Sequence, residues 1–436
     1  MAELLDELVE WLRIPSVSAG APNPDALLEA AQWAAERVRR AGGSVELLAT
    51  EGGAPLVLGE LRARREDAPT VLIYGHYDVQ NPGDPADWTT PAFEPTVRDG
   101  RLYARGASDD KGNFLPTLHV ACELAAAGEL DVHVRVLIEG AEEVGSTDVT
   151  TWVLADTVAT DCAIVFDSGM LDADTPALTL ATRGMVFATV EVRTAARPVH
   201  SGMYGGAALN AFHALHRALA AVLPHPDGRL PEPLRAGIEP PSAEELASWE
   251  ALPPGADALA EVGVVPSDAG AASQFYVRTG AEPSLDVNRI EGGDARTIVP
   301  ELARAVVSVR LAPGQRSAEI GPALERLLRD ALPAGAELSF SFEGAEPARF
   351  DPAEPALQAA RRALARAGDV EPALVRSGGT LPILAAFAQR GIPVVVSGYA
   401  LPEDAIHAPD ESFRLASLEH GARAARALYE ELATLR

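Results

Sequence analysis

The sequence is poor in positive charge, and it contains no long apolar run. Lys111 is the only lysine, and 36 basic residues stand against 63 acidic ones, for a formal net charge of -27. Nucleic acids and anionic membrane surfaces attract positively charged proteins, so this composition argues against both as partners. No apolar stretch is long enough to cross a bilayer, and residues 1–20 lack the basic start and apolar core of a signal peptide. We therefore expect a cytoplasmic protein.

Cysteine is equally scarce, which limits the sites that thiolates could build. Cys122 and Cys162 are the only cysteines, and they lie in apolar runs without the paired spacing of a thiolate metal site. We expect two buried free thiols, with a disulfide as the alternative. The 47% of hydrophobic residues is typical of a globular protein, and 436 residues are too many for one ordinary core. We therefore expect two domains, or one domain interrupted by another.

Apolar runs alternate with helical patterns in the first part of the chain. The predicted helices are 2–13, 24–41, 113–127 and 147–155, and the predicted strands are 44–48, 56–60, 70–74, 132–139 and 162–166. Strands and helices that alternate at this spacing predict an α/β fold with a mainly parallel sheet.

The pattern changes after residue 178. The next predicted strands are 188–193, 302–311 and 337–342, and the next predicted helices are 207–223 and 317–332. Their order predicts a smaller α+β domain that is inserted into the first one. Further predicted elements then return to the first domain: helices at 352–366 and 415–435, and a strand at 393–397. We expect a discontinuous α/β domain of 1–181 and 347–436 around an inserted domain of 182–346.

Acidic residues and histidines that could bind metal ions lie just after predicted strands or just before a predicted helix. They are His76 and Asp78 after VLIY, Glu142 and Glu143 after VHVRVLIEGA, Asp167 after AIVF, Asp109 directly before a predicted helix, and His407 after PVVVS. Ligands of open α/β sheets bind outside the carboxyl ends of the strands. We therefore expect these side chains to converge at one edge of the sheet.

This set of side chains suits a centre with two metal ions. A bridging carboxylate, with one histidine and one acidic residue for each ion, can hold two zinc-like ions close together. Hydrolysis at such a centre also needs a carboxylate that is not a ligand, which takes a proton from water and returns it to the leaving amine. The adjacent Glu142 and Glu143 can divide these roles, and Asp78 can accept a hydrogen bond from the His76 imidazole.

Each motif is weak evidence when it is taken alone. A His-X-Asp triplet commonly arises by chance, and a Glu-Glu pair commonly begins a solvated helix. Five other histidines simply fit predicted helices or a strand: His119, His133, His213, His216 and His420. The argument for a metal centre is therefore the conjunction of acids and histidines at strand ends.

Several segments resemble the signatures of the dinuclear zinc peptidase family of carnosinase-like dipeptidases. This family is related to aminoacylases, succinyl-diaminopimelate desuccinylase and carboxypeptidase G. The matching segments are YGHYDVQ (74–80), GRLYARGASDDKGN (100–113), EGAEEVGS (139–146), RSGGTLPI (376–383) and IHAPDE (406–411), and they span nearly the whole chain.

The resemblance implies a role for each residue of the metal centre. It implies that His76 and Asp167 bind one divalent ion, that Glu143 and His407 bind the other, and that Asp109 bridges both. It also implies Glu142 as the general base, Asp78 beside His76, and a cis peptide bond between Asp109 and Asp110. Zinc is the expected ion, with manganese or cobalt as alternatives, because histidine and carboxylate ligands accept all three.

The resemblance also implies that the inserted domain is a lid through which the chain forms a homodimer. PVHSGMYGG (198–206) is similar to a lid motif, so His200 would stabilise the oxyanion in the partner's site. Arg310 resembles an arginine that binds the substrate's terminal carboxylate, although an arginine on the surface of a strand is the ordinary alternative. The remaining substrate contacts are expected from Thr297, Gly378, Gly379 and Thr380.

The sequence therefore predicts a metal-dependent hydrolase that cleaves the amide bond of small peptides, most simply dipeptides. An N-acyl amino acid deacylase or desuccinylase of the same family is the alternative, since it would use the same metal chemistry on another acyl group. A catalytically inactive, metal-binding dimer scaffold is a third possibility. The presence of Glu142 argues against that scaffold, because a protein that only binds metal needs no base there.

Overall fold

The computed structural model describes residues 2–145 and 147–435. Ser146, the last residue of the EGAEEVGS segment, lies outside the described residues. The chain forms two compact units: the first comprises Met1–Leu180, Phe350–Leu374 and Ala386–Arg436, and the second comprises Ala181–Arg349 and Val375–Ala385. The domain boundaries drawn from the sequence stay a prediction, and the two units differ from them in assigning residue 181 and residues 347–349 and 375–385 to the second unit.

The strands follow the apolar and alternating runs of the sequence. They are β1 (Ser44–Leu48), β2 (Leu56–Leu61), β3 (Thr70–His76), β4 (Thr96–Arg98), β5 (Arg101–Tyr103), β6 (His133–Glu139), β7 (Cys162–Phe166), β8 (Ala177–Thr182), β9 (Gly184–Arg193), β10 (Val199–His200), β11 (Ser284–Gly292), β12 (Ile298–Val299), β13 (Leu302–Leu311), β14 (Glu337–Ala345), β15 (Ala348–Arg349), β16 (Ala373–Ser377), β17 (Val394–Ser397) and β18 (Ser412–Arg414).

The α-helices occupy most of the segments between them. They are α1 (Ala2–Leu12), α2 (Pro24–Arg40), α3 (Lys111–Ala127), α4 (Asp148–Ala155), α5 (Ser201–Tyr204), α6 (Ala211–Ala220), α7 (Ala243–Glu250), α8 (Gly255–Glu261), α9 (Phe275–Gly280), α10 (Ser317–Asp330), α11 (Pro355–Gly368), α12 (Pro382–Gln389) and α13 (Leu415–Leu432). None of the helices within residues 2–145 and 147–435 is both long and apolar enough to cross a membrane.

The first unit is built around a sheet with the strand order β1-β2-β6-β3-β7-β17-β8. The central strands β6, β3, β7 and β17 run parallel, whereas β1, β2 and β8 pair antiparallel at the two sides. The five residues of β7 are all buried, as expected of a strand covered on both faces. The prediction of an α/β fold with a mainly parallel central sheet is therefore confirmed.

The contact between α3 and β3 brings the start of that helix to the end of that strand. A Cβ atom on Gly75 would lie 2.4 Å from the ring of Phe114, so only glycine allows this approach. The backbone N–H of His76 donates to Asp110 Oδ2 at 3.3 Å. The packing of α3 against β3 thus places the Asp109-Asp110 segment beside the last residue of the strand.

The second unit contains an antiparallel sheet with the strand order β11-β13-β9-β14. Along β9, Val186, Ala188, Val190 and Val192 are fully buried and belong to one apolar core with residues of α6 and α10. The residues that alternate with them, among them Phe187 and Thr189, are exposed or half-buried on the other face. This alternation is typical of an antiparallel sheet with one covered face.

Several parts of the second unit were not predicted from the sequence, among them β11, α7 and α8. The strand β11 carries charged and polar residues in SLDVNRIEG, so its apolar alternation is weak. The helices α7 and α8 lie in the segment 224–270, which is rich in Pro, Gly and acidic residues and for which no helix or strand was predicted. Helix α7 nevertheless begins with a capping box in which Ser242 and Glu245 satisfy each other's backbone N–H groups.

Candidate metal centre

The parallel strands deliver the predicted ligands to one edge of the first unit's sheet. His76 is the last residue of β3, Asp167 directly follows β7, and Glu143 lies a few residues beyond the end of β6. His407 comes from the loop after β17, and Asp109 directly precedes Asp110, the N-cap of α3. Because parallel strands end at the same edge, these side chains meet there.

The ligand atoms form two groups that share Asp109. His76, Asp109 and Asp167 form one group, and Asp109, Glu143 and His407 form the other; within each group the atoms lie within 4.8 Å of one another. Asp109 Oδ1 lies 3.1 Å from His76 Nε2, and Asp109 Oδ2 lies 3.0 Å from His407 Nε2. Each carboxylate oxygen of Asp109 therefore faces a different group, which is the arrangement of a bridging ligand.

These distances fit the space that a metal ion requires. Two ligand atoms about 2.0 Å from one tetrahedral ion are separated by about 3.3 Å. His407 Nε2 lies 3.0 Å from Glu143 Oε2, close to that separation. Glu143 Oε1 is buried and has no hydrogen-bond partner among the described residues. A buried carboxylate oxygen without a partner is costly, and a cation would satisfy it.

The backbone and carboxylate of Asp78 orient the His76 ring. Asp78 is fully buried; its backbone carbonyl lies 3.1 Å from His76 Nδ1 and its Oδ1 lies 3.3 Å from the same atom. The hydrogen on Nδ1 is therefore donated to Asp78, which leaves the lone pair of Nε2 free for a metal ion. The Asp78 carboxylate also accepts from Glu142 N at 3.3 Å and Glu143 N at 3.1 Å.

The acidic residues of the centre are crowded enough to disturb one another's ionisation. Burial, together with the negative charge of Asp109, raises the pKa of Asp167 to about 8. Burial also raises the pKa of Glu142, and the Asp109 and Glu143 carboxylates act in the same direction. Hydrogen bonds to Asp109 and Glu143 raise the pKa of His407 to about 10. Divalent cations would offset this repulsion between carboxylates, so the residues present fit a metal centre.

Glu142 differs from Glu143 in its relation to the two ligand groups. Within residues 2–145 and 147–435, neither group of converging ligand atoms includes Glu142. Both residues belong to the short 3₁₀-helix Glu142–Val144 that follows β6. Glu142 nevertheless lies close enough to interact electrostatically with His76 and Asp109, so the two adjacent acids can have separate roles at one centre.

The Asp109–Asp110 peptide bond is cis, as the resemblance implies.

The comparisons with known proteins agree with this geometry. The sequence pattern of Peptidase family M20/M25/M40 matches residues 72–431. The chain belongs to this peptidase family. Its relatives include a protein named cysteinylglycine-S-conjugate dipeptidase from Corynebacterium striatum, which is 31% identical over 96% of this chain and 92% of the relative. A Beta-Ala-His dipeptidase from Mus musculus is 27% identical over 99% of this chain and 93% of the relative.

Solved structures show the same fold. Human carnosine dipeptidase 1 aligns with a TM-score of 0.75 and 26% identity, over 100% of this chain and 96% of that chain. The M20 family metallo-carboxypeptidase Sso-CP2 from Sulfolobus solfataricus aligns with a TM-score of 0.85 and 24% identity, over 100% of both chains. The resemblance inferred from the sequence motifs is therefore confirmed, and the protein is a metallohydrolase.

Sequence reasoning gave no role to Glu411, which connects the segments that carry two of the ligands. The Glu411 side chain is fully buried in the peptidase and accepts from Arg105 Nη1 at 2.6 Å. It also accepts from three backbone N–H groups, those of Gly106 at 3.0 Å, Ser108 at 2.9 Å and Asp109 at 3.1 Å. Glu411 thus fixes the segment leading to Asp109 against the loop that carries His407.

A second buried acid reinforces this connection. Asp404 Oδ2 accepts from Ser108 Oγ at 2.8 Å, and the other oxygen of Asp404 pairs with Arg101. The antiparallel pairing of β18 with β5 joins the same two segments. The segments GRLYARGASDDKGN and IHAPDE contain Arg101, Ser108 and Glu411, but only the fold shows that these residues meet.

Two amides also contact the centre, and neither was predicted. Gln80 Nε2 donates to Glu143 Oε2 at 3.1 Å, which can hold that carboxylate in place. Asn113 Nδ2 donates to the Ser168 carbonyl at 3.0 Å, beside Asp167. A cavity of about 400 Å³ is lined by Asp109, Asn113 and Asp167, together with Met170 and Ile406. The cavity of the peptidase therefore borders Asp109, which both ligand groups share, and Asp167 of the first group.

The predicted catalytic residue His200 and the predicted substrate-binding residues lie in the second unit. His200 and Thr297 are brought together, because β10 pairs with β12 and Ser201 N donates to the Thr297 carbonyl at 2.9 Å. His200 is exposed, and its Nδ1 accepts from Gly202 N at 3.0 Å. Nδ1 is therefore an acceptor, so the neutral ring carries its hydrogen on Nε2 and can donate it to a ligand.

A second group in this unit contains Arg310 and Thr380. Arg310 Nη1 donates to Thr380 Oγ1 at 3.2 Å, and that hydroxyl donates to the Arg183 carbonyl at 2.6 Å. Gly378 and Gly379 precede Thr380 in the same loop, and Gly379 N donates to Ser377 Oγ at 3.1 Å. The predicted residues of this unit thus form two groups, one around His200 and one around Arg310.

Proposed function

We propose that the protein is a dipeptidase that cleaves dipeptides with a free carboxyl terminus. The observation that carries the proposal is the position of Asp109, whose two carboxylate oxygens face separate groups of ligand-type side chains. Relatives that match nearly the full chain are named as dipeptidases, which supports small peptides as substrates. The deacylase alternative would use the same centre, and it is separated from the dipeptidase by substrate tests.

The proposed cofactor is a pair of divalent metal ions, with zinc as the first choice and manganese or cobalt as alternatives. His76 and Asp167 would hold one ion, Glu143 and His407 the other, and Asp109 would bridge them. When bound, such ions polarise the scissile carbonyl and lower the pKa of a water between them. The unpaired oxygen of Glu143 and the raised pKa of Asp167 support cations at these positions.

The proposed catalytic steps use the residues that bind no metal. Glu142 takes a proton from the attacking water, and it then gives this proton to the amine nitrogen as the C–N bond breaks. The elevated pKa of Glu142 supports this role, since a base works best when its pKa is near the working pH. His200 donates from Nε2 to the developing oxyanion, and Asp78 holds the His76 ring throughout.

Arg310 would bind the terminal carboxylate of the substrate, with hydrogen bonds from Thr297, Thr380 and the backbone of Gly378 and Gly379. The Arg310 guanidinium has no carboxylate within 4 Å among the described residues, so its charge is available to a ligand. The planar fork of arginine matches a carboxylate better than an ammonium does.

The remaining features are proposed on the strength of the family resemblance. Residues 182–346 would form a lid through which two copies dimerise, and His200 would act in the partner's site. A catalytic domain of 1–181 and 347–436 is proposed with it. A cytoplasmic location is also proposed, and it is supported by the presence of free, buried thiols at Cys122 and Cys162.

The direct test compares dipeptides with N-acyl amino acids that have the same carboxyl-terminal residue. Metal-free enzyme is loaded with zinc, manganese or cobalt, and kcat/KM is measured for Gly-Ala, Ala-Ala, acetyl-alanine and succinyl-alanine. The proposal predicts that the two dipeptides give the higher kcat/KM with every active metal. Preferential hydrolysis of acetyl-alanine or succinyl-alanine would replace it with the deacylase alternative.

A further inference from the structure

Two arginines of the second unit lie side by side without a carboxylate. Arg310 is on β13, and Arg183 lies between β8 and β9. Among the described residues, neither guanidinium has an acidic side chain within 4 Å. The hydroxyl of Thr380 connects them, because it accepts from Arg310 and donates to the Arg183 carbonyl. Two positive charges are thus held together in a chain whose net charge is -27.

The Arg183 side chain is fixed in position by neutral acceptors. Its Nε donates to the Gly378 carbonyl at 3.4 Å, and its Nη1 donates to the Arg278 carbonyl at 3.4 Å and to Ser284 Oγ at 3.2 Å. Its Nη2 donates to no described residue. Since Ser284 lies directly opposite Arg310 in the β11–β13 pair, the Arg183 head is close to the base of the Arg310 side chain.

Three other partly buried arginines of this unit are neutralised by acids. Arg235 pairs with Glu282 through both terminal nitrogens, Arg278 pairs in the same way with Asp268, and Arg376 pairs with Glu245 at 2.6 Å. Arg183 is different: burial and the nearby Arg310 lower its pKa to about 10. This unit therefore pairs its other partly buried arginines, whereas Arg183 and Arg310 have no carboxylate within 4 Å among the described residues.

A large cavity lies on the Arg183 side of this pair. Its volume is about 950 Å³, and Arg183, Thr279, Ser284 and Asp286 are among the residues that line it. Arg310 is not among its lining residues. Arg183 therefore stands between the Arg310 group and the cavity, and it can reach a group that extends from a ligand on Arg310. The charged residues that line the cavity are four arginines and four acids, among them the exposed Asp286, so the surplus of positive charge comes from Arg310 beside the cavity.

We propose that Arg183 is a second anion-binding residue beside Arg310, and that it gives the peptidase a preference for dipeptides that end in glutamate or aspartate. The inference rests on the proposed function, in which Arg310 binds the terminal carboxylate. The side-chain carboxylate of the same residue then extends to Arg183 and the cavity. A charged acceptor suits the free Nη2 of Arg183 better than an amide does, because hydrogen bonds between ionised groups are stronger.

The test compares Ala-Glu with Ala-Gln, since these substrates have the same shape and differ in one charge. The wild-type enzyme is expected to give a kcat/KM for Ala-Glu at least about tenfold above that for Ala-Gln. Arg183→Gln is expected to bring this ratio close to one by reducing the value for Ala-Glu. Arg304→Gln is the matched control: Arg304 is an exposed arginine on β13, paired with Glu191, and its removal should leave the ratio unchanged.

The possible outcomes separate the inference from the proposed function. An equal loss for Ala-Glu and Ala-Gln in Arg183→Gln would overturn the inference, because both arginines would then serve the terminal carboxylate. If Arg183→Gln does not fold, Arg183→Lys is measured in its place. The inference is overturned if the wild type gives a ratio of kcat/KM for Ala-Glu to kcat/KM for Ala-Gln near one and Arg183→Lys leaves that ratio unchanged. If no dipeptide is cleaved, the proposed function fails, and calorimetric binding of free glutamate against glutamine still decides the role of Arg183.

Discussion

Each unit of the peptidase contains one cluster of like charges that lack ordinary ion pairs, and the two clusters have opposite signs. In the first unit, Asp167 and Glu143 have no arginine or lysine within 4 Å among the described residues. In the second unit, Arg183 and Arg310 have no carboxylate at that distance. Some other buried charges form ion pairs, as in the contact of Arg105 with Glu411 at 2.6 Å, whereas the buried Lys111 donates to the backbone carbonyls of Trp11 and Ile14.

This difference supports the ligand proposed for each unit. In a buried ion pair, the two side chains compensate each other's charge. A buried charge without such a partner destabilises the fold unless a ligand of opposite charge is bound. The first unit therefore points to cations, and the second unit points to an anion. Each prediction below changes a residue of one unit and leaves the charged cluster of the other unit unchanged.

The largest effect is expected from removing the base of the first unit. Glu142→Gln should lower kcat by roughly 10³- to 10⁴-fold, because the amide cannot accept the proton of water. The variant should still bind two metal ions, since Glu142 belongs to neither ligand group. Steady-state kinetics and metal analysis on the same sample measure both properties. Glu129→Gln, an exposed glutamate of the same unit, is the control, and undiminished turnover in Glu142→Gln would refute the assignment.

A smaller loss is expected from the histidine of the second unit. His200→Ala should lower kcat by roughly 10²- to 10³-fold, the usual effect of one oxyanion donor. Mixing it with Glu142→Gln tests the action across a dimer, because a mixed dimer contains one site with both groups. After subunit exchange at equal amounts, about a quarter of the wild-type activity should return. Failure of the mixture to regain activity, with exchange verified, would show that His200 does not act in a partner's site.

Glu411 is expected to act on the metal centre as a positioning residue. Glu411→Gln should weaken metal binding by roughly 10- to 100-fold, because the hydrogen bonds that fix the Asp109 segment are disturbed. The kcat at saturating metal should remain near that of the wild type, a separation that general unfolding would not produce. Competition with a chelator measures the affinity, and the exposed Glu419→Gln is the control. An unchanged metal affinity would show that Glu411 does not position the metal ligands.

The smallest effect is expected from a substitution that keeps the charge of Arg310. Arg310→Lys should raise KM about tenfold and change kcat little, because the fork is lost while the positive charge remains. Initial rates over a range of dipeptide concentrations measure both constants. A fall in kcat at constant KM would indicate that Arg310 acts on the reaction itself, and it would weaken the comparison between the units.

Much of the first unit could be predicted from the sequence because its strands are long apolar runs. The predicted strands at 70–74 and 162–166 match β3 and β7 within two residues. His76 and Asp167 follow those runs directly, so their convergence could be argued from the geometry of parallel strands. The positions of these two residues could therefore be predicted from local patterns in the sequence.

The residues that support the centre could not be found in this way. Glu411 contacts the Gly106–Asp109 segment across some 300 positions of sequence. Nothing in the local pattern around an acid distinguishes a buried hydrogen-bond acceptor from an exposed side chain. Arg183 was missed for the same reason, because its lack of a carboxylate partner is a property of the packed unit. Strand β11 escaped prediction because polar residues interrupt its apolar alternation.

The central claim is a pair of metal ions bridged by Asp109, and counting bound metal ions tests it most directly. Metal-free protein is titrated with zinc, and the bound metal is measured for the wild type and for Asp109→Asn, with Glu142→Gln as the comparison. The account predicts two ions per chain in the wild type and in Glu142→Gln, and fewer than two in Asp109→Asn. One ion in the wild type, or two ions held by Asp109→Asn with wild-type affinity, would contradict it.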